Sequence, residues 1–398
     1  MRLTFVSNYI NHHQIPMSEE LYKILGSGYT FIQTEPMESE RKRMGWEVED
    51  EPPYVLHSYD DMKTAGKLIM DSDVVIFGGA REQELIIPRI EARKLTLRYS
   101  ERIYKEGQWK FISPNGLKQK YHDHIRFGKY PVYLLCAGGY VASDFHLIHA
   151  YKNKMLKFGY FPEFIDYADA VHSKRFGFDT EIVWAGRCID WKHPEVAIDV
   201  MEHLKKLEIN AHMTFIGGGE LLPDIHDRAE AAGLLDMITF TGFLKPGAVR
   251  EHMRRSDVFL FTSDYREGWG AVLNEAMNAG CAVVANEGIG AAPYLIPAGS
   301  ECGYTYPNGD IDKCKTLVQA LVLNKELCLR TGRLAYERIR SEWNPAEAAK
   351  RLIEVSEGLL SYMSEHEGEG NAPFVNQIKL PEDGPCSVAP ILSPGIRN

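Results

Sequence analysis

Asp73-Val74-Val75-Ile76-Phe77-Gly78-Gly79 is an apolar run closed by two glycines. A run without polar alternation fits a strand covered on both faces, and glycine lets the chain turn sharply where the strand ends. The pattern recurs. Leu3 to Ser7 leads into a polar loop, Asn8 to Gln14, and Val132 to Cys136 leads into Gly138-Gly139. Glu181-Ile182-Val183-Trp184-Ala185-Gly186 and His212 to Ile216, closed by Gly217-Gly218-Gly219, repeat it later in the chain. Further strands are expected at Tyr29 to Gln33, Leu95 to Tyr99, Met237 to Thr241, Val258 to Thr262 and Ala282 to Ala285.

Helical stretches fall between these runs, at Pro16 to Leu25, Glu82 to Leu95 and Pro194 to Leu207. In the last, Val196, Ala197, Val200, Met201 and Leu204 share one face. Helices follow at Asp310 to Leu323, Lys325 to Ser341 and Ala346 to Tyr362. Strands alternating with helices specify an α/β fold with parallel sheets. The aromatic stretch Pro162 to Asp179 interrupts the alternation, so two domains are expected, 1–165 and 166–345. A closing helix at 346–365 and a Gly-, Pro- and polar-rich tail at 366–398, disordered or loosely docked, complete the chain.

The 398 residues carry a net charge of −10, which argues against a general nucleic-acid binder. No stretch reaches the roughly 18–20 apolar residues of a membrane span. Met1 to Ser7 reads as a strand without the apolar region of a signal peptide. The seven cysteines are scattered and form no CxxC pair, as in a reducing compartment. A cytoplasmic location is expected.

In open α/β sheets, ligands bind at the carboxyl ends of strands. The distinctive residues fall there. Glu267-Gly268-Trp269-Gly270-Ala271-Val272-Leu273-Asn274-Glu275-Ala276-Met277 follows a strand and opens a helix. Gly268 and Gly270 suit an anion at the helix start, and two carboxylates flanking it suit a sugar, a diphosphate and a ribose laid end to end. The alternative is a helix start whose acids only favour the dipole. Gly186-Arg187-Cys188-Ile189-Asp190-Trp191-Lys192-His193-Pro194 places a guanidinium and an ammonium after another strand, where they can neutralise phosphates or pair with surface acids. Gly217-Gly218-Gly219-Glu220 permits close backbone approach. Gly242-Phe243 can lay backbone groups against a nucleobase, or be an ordinary strand exit.

Together these four loops resemble the retaining glycosyltransferases of family 4, over roughly residues 180–360. Glu267 and Glu275 match the family's paired glutamates, Gly186-Arg187 with Lys192 its phosphate-binding residues, and Trp343 its late tryptophan. The resemblance implies the GT-B fold, two Rossmann-like doubly wound parallel-sheet domains facing across a cleft. The first would bind an acceptor and the second a nucleotide-sugar. It implies that Glu267 contacts the donor sugar and Glu275 the ribose. Arg187 and Lys192 would stabilise the leaving diphosphate, and no metal or other cofactor is expected. Gly186, Gly218, Gly242, Phe243, Gly268, Trp269 and Gly270 complete the donor set. The implied reaction moves a hexose from a UDP- or GDP-sugar to a glycan or lipid-linked acceptor, with retention of configuration, as in polysaccharide biosynthesis. Two departures stand out. Asn8 to Gln14 occupies a loop where the family often has two glycines, and Tyr294 stands where a glutamate is expected.

Candidate acceptor or sugar contacts are His12 and His13 on the loop after the first strand, and Glu101 and Arg102 after another. Residues 101–130 hold seven Lys/Arg against three Asp/Glu, with Trp109 and Phe111 interleaved. This is either a solvated basic face or a peripheral contact with the inner face of a membrane. Gly288-Ile289-Gly290 does not complete a dinucleotide fingerprint. Asp71-Ser72-Asp73 precedes a strand and reads as a turn, not a metal motif. The competing functions are a non-catalytic sugar-nucleotide or glycan binder and a GT-B sugar-nucleotide epimerase.

Overall fold

The computed structural model describes residues 1–37, 50–80, 82–173, 180–366 and 372–393. These form two compact units, one of Met1–Glu163 with Glu342–Ser393 and one of Phe164–Ser341.

The first unit runs β1 (Leu3–Ser7), α1 (Ile15–Leu25), β2 (Tyr29–Gln33), β3 (Val55–His57), α2 (Met62–Asp71) and β4 (Val74–Gly78). It continues through α3 (Gln83–Glu91), β5 (Thr96–Ser100), α4 (Pro114–Asp123), β6 (Val132–Ala137), α5 (Val141–Leu147) and β7 (Met155–Phe158). The strands pair in parallel in the order β3-β2-β1-β4-β5-β6-β7. The apolar runs explain the centre of this sheet: every residue of β1, β4 and β6 is buried. Val6, Ile32, Val75, Phe77, Leu134 and Phe145 pack in its core. The edge strand β3, three half-buried residues long, has no such run to announce it.

The second unit runs α6 (Ala168–Ser173), β8 (Thr180–Ala185), α7 (Glu195–Lys206), β9 (Ala211–Ile216), α8 (Leu222–Ala231) and β10 (Ile238–Gly242). Then come α9 (Pro246–Arg255), β11 (Val258–Phe261), α10 (Val272–Asn278), β12 (Ala282–Asn286), α11 (Ala292–Leu295), β13 (Tyr304–Tyr306), α12 (Ile311–Leu323) and α13 (Lys325–Ser341). Its parallel order is β10-β9-β8-β11-β12-β13. The expected face of α7 is inside, with Val196, Ala197, Val200, Met201 and Leu204 all buried. Trp184 stacks on Phe215 at 4.3 Å between ring centres.

Helix α14 (Pro345–Glu365) returns to the first unit and packs on α1. The tail is a correction to the sequence reading. Within it, residues 386–389 are not loosely docked but pair with the outer strand of the first sheet. The amide of Cys386 donates to the Lys157 carbonyl, and that of Lys157 to the Ser387 carbonyl. Ala389 N donates to Met155 O, and Leu156 bridges Val388 antiparallel. Cys386 and Ser387 are buried, and Lys157 pairs with Asp383 at 2.5 Å. Composition hid this, because the gain comes from covering the open backbone of β7, which any sequence can do.

At the strand ends of the second unit the backbone comes unusually close to itself. Gly217, at φ +133°, lies where a Cβ would sit 1.8 Å from the Gly186 carbonyl oxygen, and a Cβ on Gly290 would sit 1.8 Å from that of Gly268. Gly217→Ala is therefore expected to destabilise the fold by about 2–3 kcal/mol, read as a fall in the urea midpoint. Gly247→Ala, in α9 with open space around it, should change stability by no more than about 1 kcal/mol, in the stabilising direction. Equal midpoints for the two variants would contradict the close approach.

Candidate functional site

Both sheets reverse their order once, between β1 and β4 and between β8 and β11. At such a point neighbouring connections leave to opposite faces, opening a crevice at the carboxyl ends of the strands.

In the second unit the two loops at this point are stitched together. Thr262 Oγ1 donates to the Lys192 carbonyl at 2.6 Å and accepts from the Trp184 indole at 2.9 Å. The amide of Asp264 donates to the Trp191 carbonyl at 3.0 Å. Lys192 Nζ forms an ion pair with Glu267 Oε2, with both side chains only 12–13% exposed. The Lys192 ammonium lies 4.6 Å from the centre of the Trp191 ring, and the exposed Arg187 guanidinium 5.9 Å from it. The structure thus pairs Lys192 with Glu267 and places both Lys192 and Arg187 near the Trp191 ring. Gly186 donates its amide to Ile216 O and Cys188 to Gly218 O, while Gly217 N donates to Gly242 O. Exposed Phe243 rests on Gly218, where a Cβ would lie 2.8 Å from the ring.

Helix α10 is short, only seven residues, and starts after Gly270, whose φ of +89° and approach to Phe261 exclude a side chain. Glu275 in this helix faces Arg250 of α9 at 3.6 Å. Burial dominates that partner and raises the Glu275 carboxyl to about 7. Trp269 departs from its expected role. Its side chain is 1% exposed and donates its indole N–H to Asn274 at 2.8 Å, so it is a core residue whose ring is closed to a ligand. Tyr294 is buried too, 6.3 Å from the Trp269 ring.

Sequence reasoning missed a cluster beside the ion pair. His193 lies in the left-handed region, φ +48°. Its Nδ1 is 2.8 Å from Glu195 Oε1 and its Nε2 3.4 Å from Asp264 Oδ2. Arg266 donates to Asp264 and reaches Asp190 at 2.9 Å. The available signal was the density of charge in the two loops, five charged residues or histidines within 187–195 and three within 264–267.

In the first unit a cleft of about 470 Å³ opens at the ends of β1, β4 and β5, lined by Ser7, Asn8, His13, Gly79, Glu101 and Tyr160 among others. Glu101 accepts from the Tyr160 hydroxyl at 2.6 Å and from Lys105 at 2.5 Å. His13 is half-buried, with His12 3.9 Å away. Burial first, and the His12 ring second, hold His13 neutral, down to about 3. Arg102 does not reach this cleft. It is sealed against Asp144, bonding both carboxylate oxygens at 3.1 and 3.3 Å, and the same carboxylate accepts from Tyr104 N and Gln108. A charge this deep needs its partner, which is why the residue beside Glu101 turns inward.

Residues 172–338 match the family model of glycosyl transferases group 1. The match falls within the second unit. The chain is 24% identical over 190 residues, 46% of its length, to the GDP-mannose-dependent α-(1-6)-phosphatidylinositol monomannoside mannosyltransferase of Mycobacterium tuberculosis, of which the match covers 49%. It is 26% identical over 194 residues, again 46% of its length, to mannosylfructose-phosphate synthase of Agrobacterium fabrum, covering 42% of it. The chain thus spans about half the length of the curated relatives it matches, or less. Among solved structures, Anabaena HepE in complex with UDP superposes with a TM-score of 0.65 over 90% of this chain and 100% of that one, at 15% identity. The two parallel-sheet Rossmann-like units are those of the GT-B glycosyltransferases.

Burial in the second unit disfavours the charged form of Glu275. A carboxyl whose folded value is raised stabilises the fold below its unfolded value near 4.5, and that stability is lost as pH rises through about 7. Between these limits the wild type should lose about 3 kcal/mol. Glu275→Gln should remove the slope and melt higher than wild type at pH 8. Parallel stability–pH curves for the two proteins would show that Glu275 is not held against its charge.

Proposed function

We propose that the protein is a retaining, metal-independent glycosyltransferase that moves a hexose from a UDP- or GDP-linked sugar to a glycan or lipid-linked acceptor. The observation that carries this reading is the Lys192–Glu267 pair beside Arg187 at the strand ends where the second sheet reverses. Without ligand, Lys192 is neutralised by Glu267. A diphosphate offers Lys192 a stronger anion, and Arg187 supplies a planar fork for the same group. Engagement of Lys192 by phosphate frees the Glu267 carboxylate for the hydroxyls of the donor sugar. The two cations then meet the charge that grows on the leaving diphosphate as the glycosidic bond breaks, from positions set before the reaction.

Glu275 accepts from the ribose hydroxyls, which its near-neutral carboxyl can do without a full buried charge. Gly242 and Phe243 border the base. Retention follows the family resemblance: the acceptor attacks from the face the diphosphate leaves, and the leaving phosphate takes its proton. The cleft at the ends of β1, β4 and β5 offers Glu101 and the neutral His13 to an acceptor. The GDP-mannose dependence of the M. tuberculosis relative supports a nucleoside-diphosphate donor.

A lipid-linked acceptor is supported by α4, in which no residue is buried, and by exposed Trp109, Ile112, Leu117 and Tyr121 on and before it. Such side chains with lysines between them suit a peripheral contact at the inner face of a membrane. No helix among the described residues is long and apolar enough to cross a membrane.

Arg187→Ala should weaken GDP or UDP binding, measured by calorimetry, by about tenfold or more. Glu267→Gln should keep nucleotide affinity within about threefold while turnover falls by at least about a hundredfold, as expected for a group that acts mainly in the transition state. Turnover should survive EDTA. Unchanged affinity in Arg187→Ala would remove the guanidinium from the phosphate site, and loss of turnover in EDTA would contradict the metal-independent reading.

A further inference from the structure

Lys192 is placed by its loop, and that loop departs from ordinary backbone one residue later. His193 adopts φ +48°, in the left-handed region that few non-glycine residues occupy. Its Nδ1 meets Glu195 Oε1 at the start of α7, at 2.8 Å, and Nε2 meets Asp264 Oδ2 on the loop after β11, at 3.4 Å. A neutral imidazole has one donor and one acceptor nitrogen, so it would turn a lone pair toward one of these carboxylates, whereas an imidazolium donates to both.

We propose that His193 is a positioning residue: as an imidazolium bridging Glu195 and Asp264, it locks the loop that carries Arg187 and Lys192 onto the loop that carries Glu267. This deepens the donor-site reading above and rests on it only for its effect on nucleotide binding. The lock has other members. Asp264 is 3% exposed, and its backbone amide and Thr262 hold the carbonyls of Trp191 and Lys192, directly before His193. Arg266 faces the same carboxylate from the β11 side and ties it to Asp190.

The charged groups around the ring are thus Glu195, Asp264 and Asp190 on the acidic side, with Arg266 and the Lys192–Glu267 pair beside them. The acids outweigh the nearby cations. Hydrogen bonds to Asp264 and then Glu195 raise His193 to about 9, against the smaller opposing effect of burial. Burial pushes the Asp264 carboxyl up, but the hydrogen bonds from His193 and Arg266 outweigh it and leave the group lowered. Because the folded value of His193 is raised, the lock is complete below the ordinary histidine value near 6.5 and is lost as pH rises through about 9.

The test uses His193→Gly, since glycine accepts the left-handed backbone without strain and removes only the ring. Hydrogen–deuterium exchange of residues 186–194 reads the lock without ligand, comparing the two proteins at each pH from about 6 to about 10. The expected result is roughly tenfold greater protection in the wild type near neutral pH, converging with the variant as pH passes about 9. GDP and UDP affinity, measured in parallel, should fall over the same alkaline range in the wild type and be weaker but flat there in the variant. Equal exchange in the two proteins at every pH overturns the proposal, and so does an alkaline loss of protection that persists in His193→Gly. The expected exchange profile in a protein that binds neither nucleotide supports the lock and overturns the donor-site reading instead.

Discussion

A parallel sheet delivers the carboxyl end of every strand to one edge, and everything else in this protein depends on how the chain uses that constraint. In the second unit the pairing of β8 with β11 sets two loops side by side, while the connections on either side leave to opposite faces. The backbone then closes the remaining distance. Gly217 over Gly186 and Gly290 over Gly268 are approaches that no side chain permits. Thr262 and Asp264 fix the carbonyls of Lys192 and Trp191. The charged side chains are the last layer, set on the loops that this backbone brings side by side.

That layer is costly by design. Burial opposes the charge of Glu275 with Arg250 3.6 Å away, and His193 takes a left-handed backbone where it meets two acids. Such features stabilise little by themselves, and they collect where a ligand is to be met. The Arg102–Asp144 pair in the first unit is the opposite case. It is wholly buried, its carboxylate takes donors from Tyr104 and Gln108 as well, and it serves the local fold.

The parts of the fold legible in the sequence are those with a one-dimensional signature. The buried strands β4, β6 and β11 are continuous apolar runs, and α13 spans the residues read as helical in the sequence, Lys325–Ser341. The short edge strands β3 and β13 carry no such run, and residues 386–389 pair through the backbone in a way that composition does not reveal. In the site, Arg187, Lys192 and Glu267 were legible as charges on strand-end loops. Trp269 and Arg102 were misread because sequence spacing gives a residue's position along the chain but not whether its side chain turns toward solvent or core. His193, Asp264 and Arg250 were missed for a related reason: each acts through a partner on a different element.

The central claim is that the second unit holds a nucleoside diphosphate through its own cations. A ligand that binds only the folded state raises the melting temperature, by about 2.7 kcal/mol of stability at a hundred times its dissociation constant. The most direct measurement is a metal-free thermal-shift series with UDP, GDP, ADP, CMP, dTDP and NAD. The account predicts a rise of several degrees with UDP or GDP and none with NAD. Well-folded protein that shifts with no nucleoside diphosphate would contradict it.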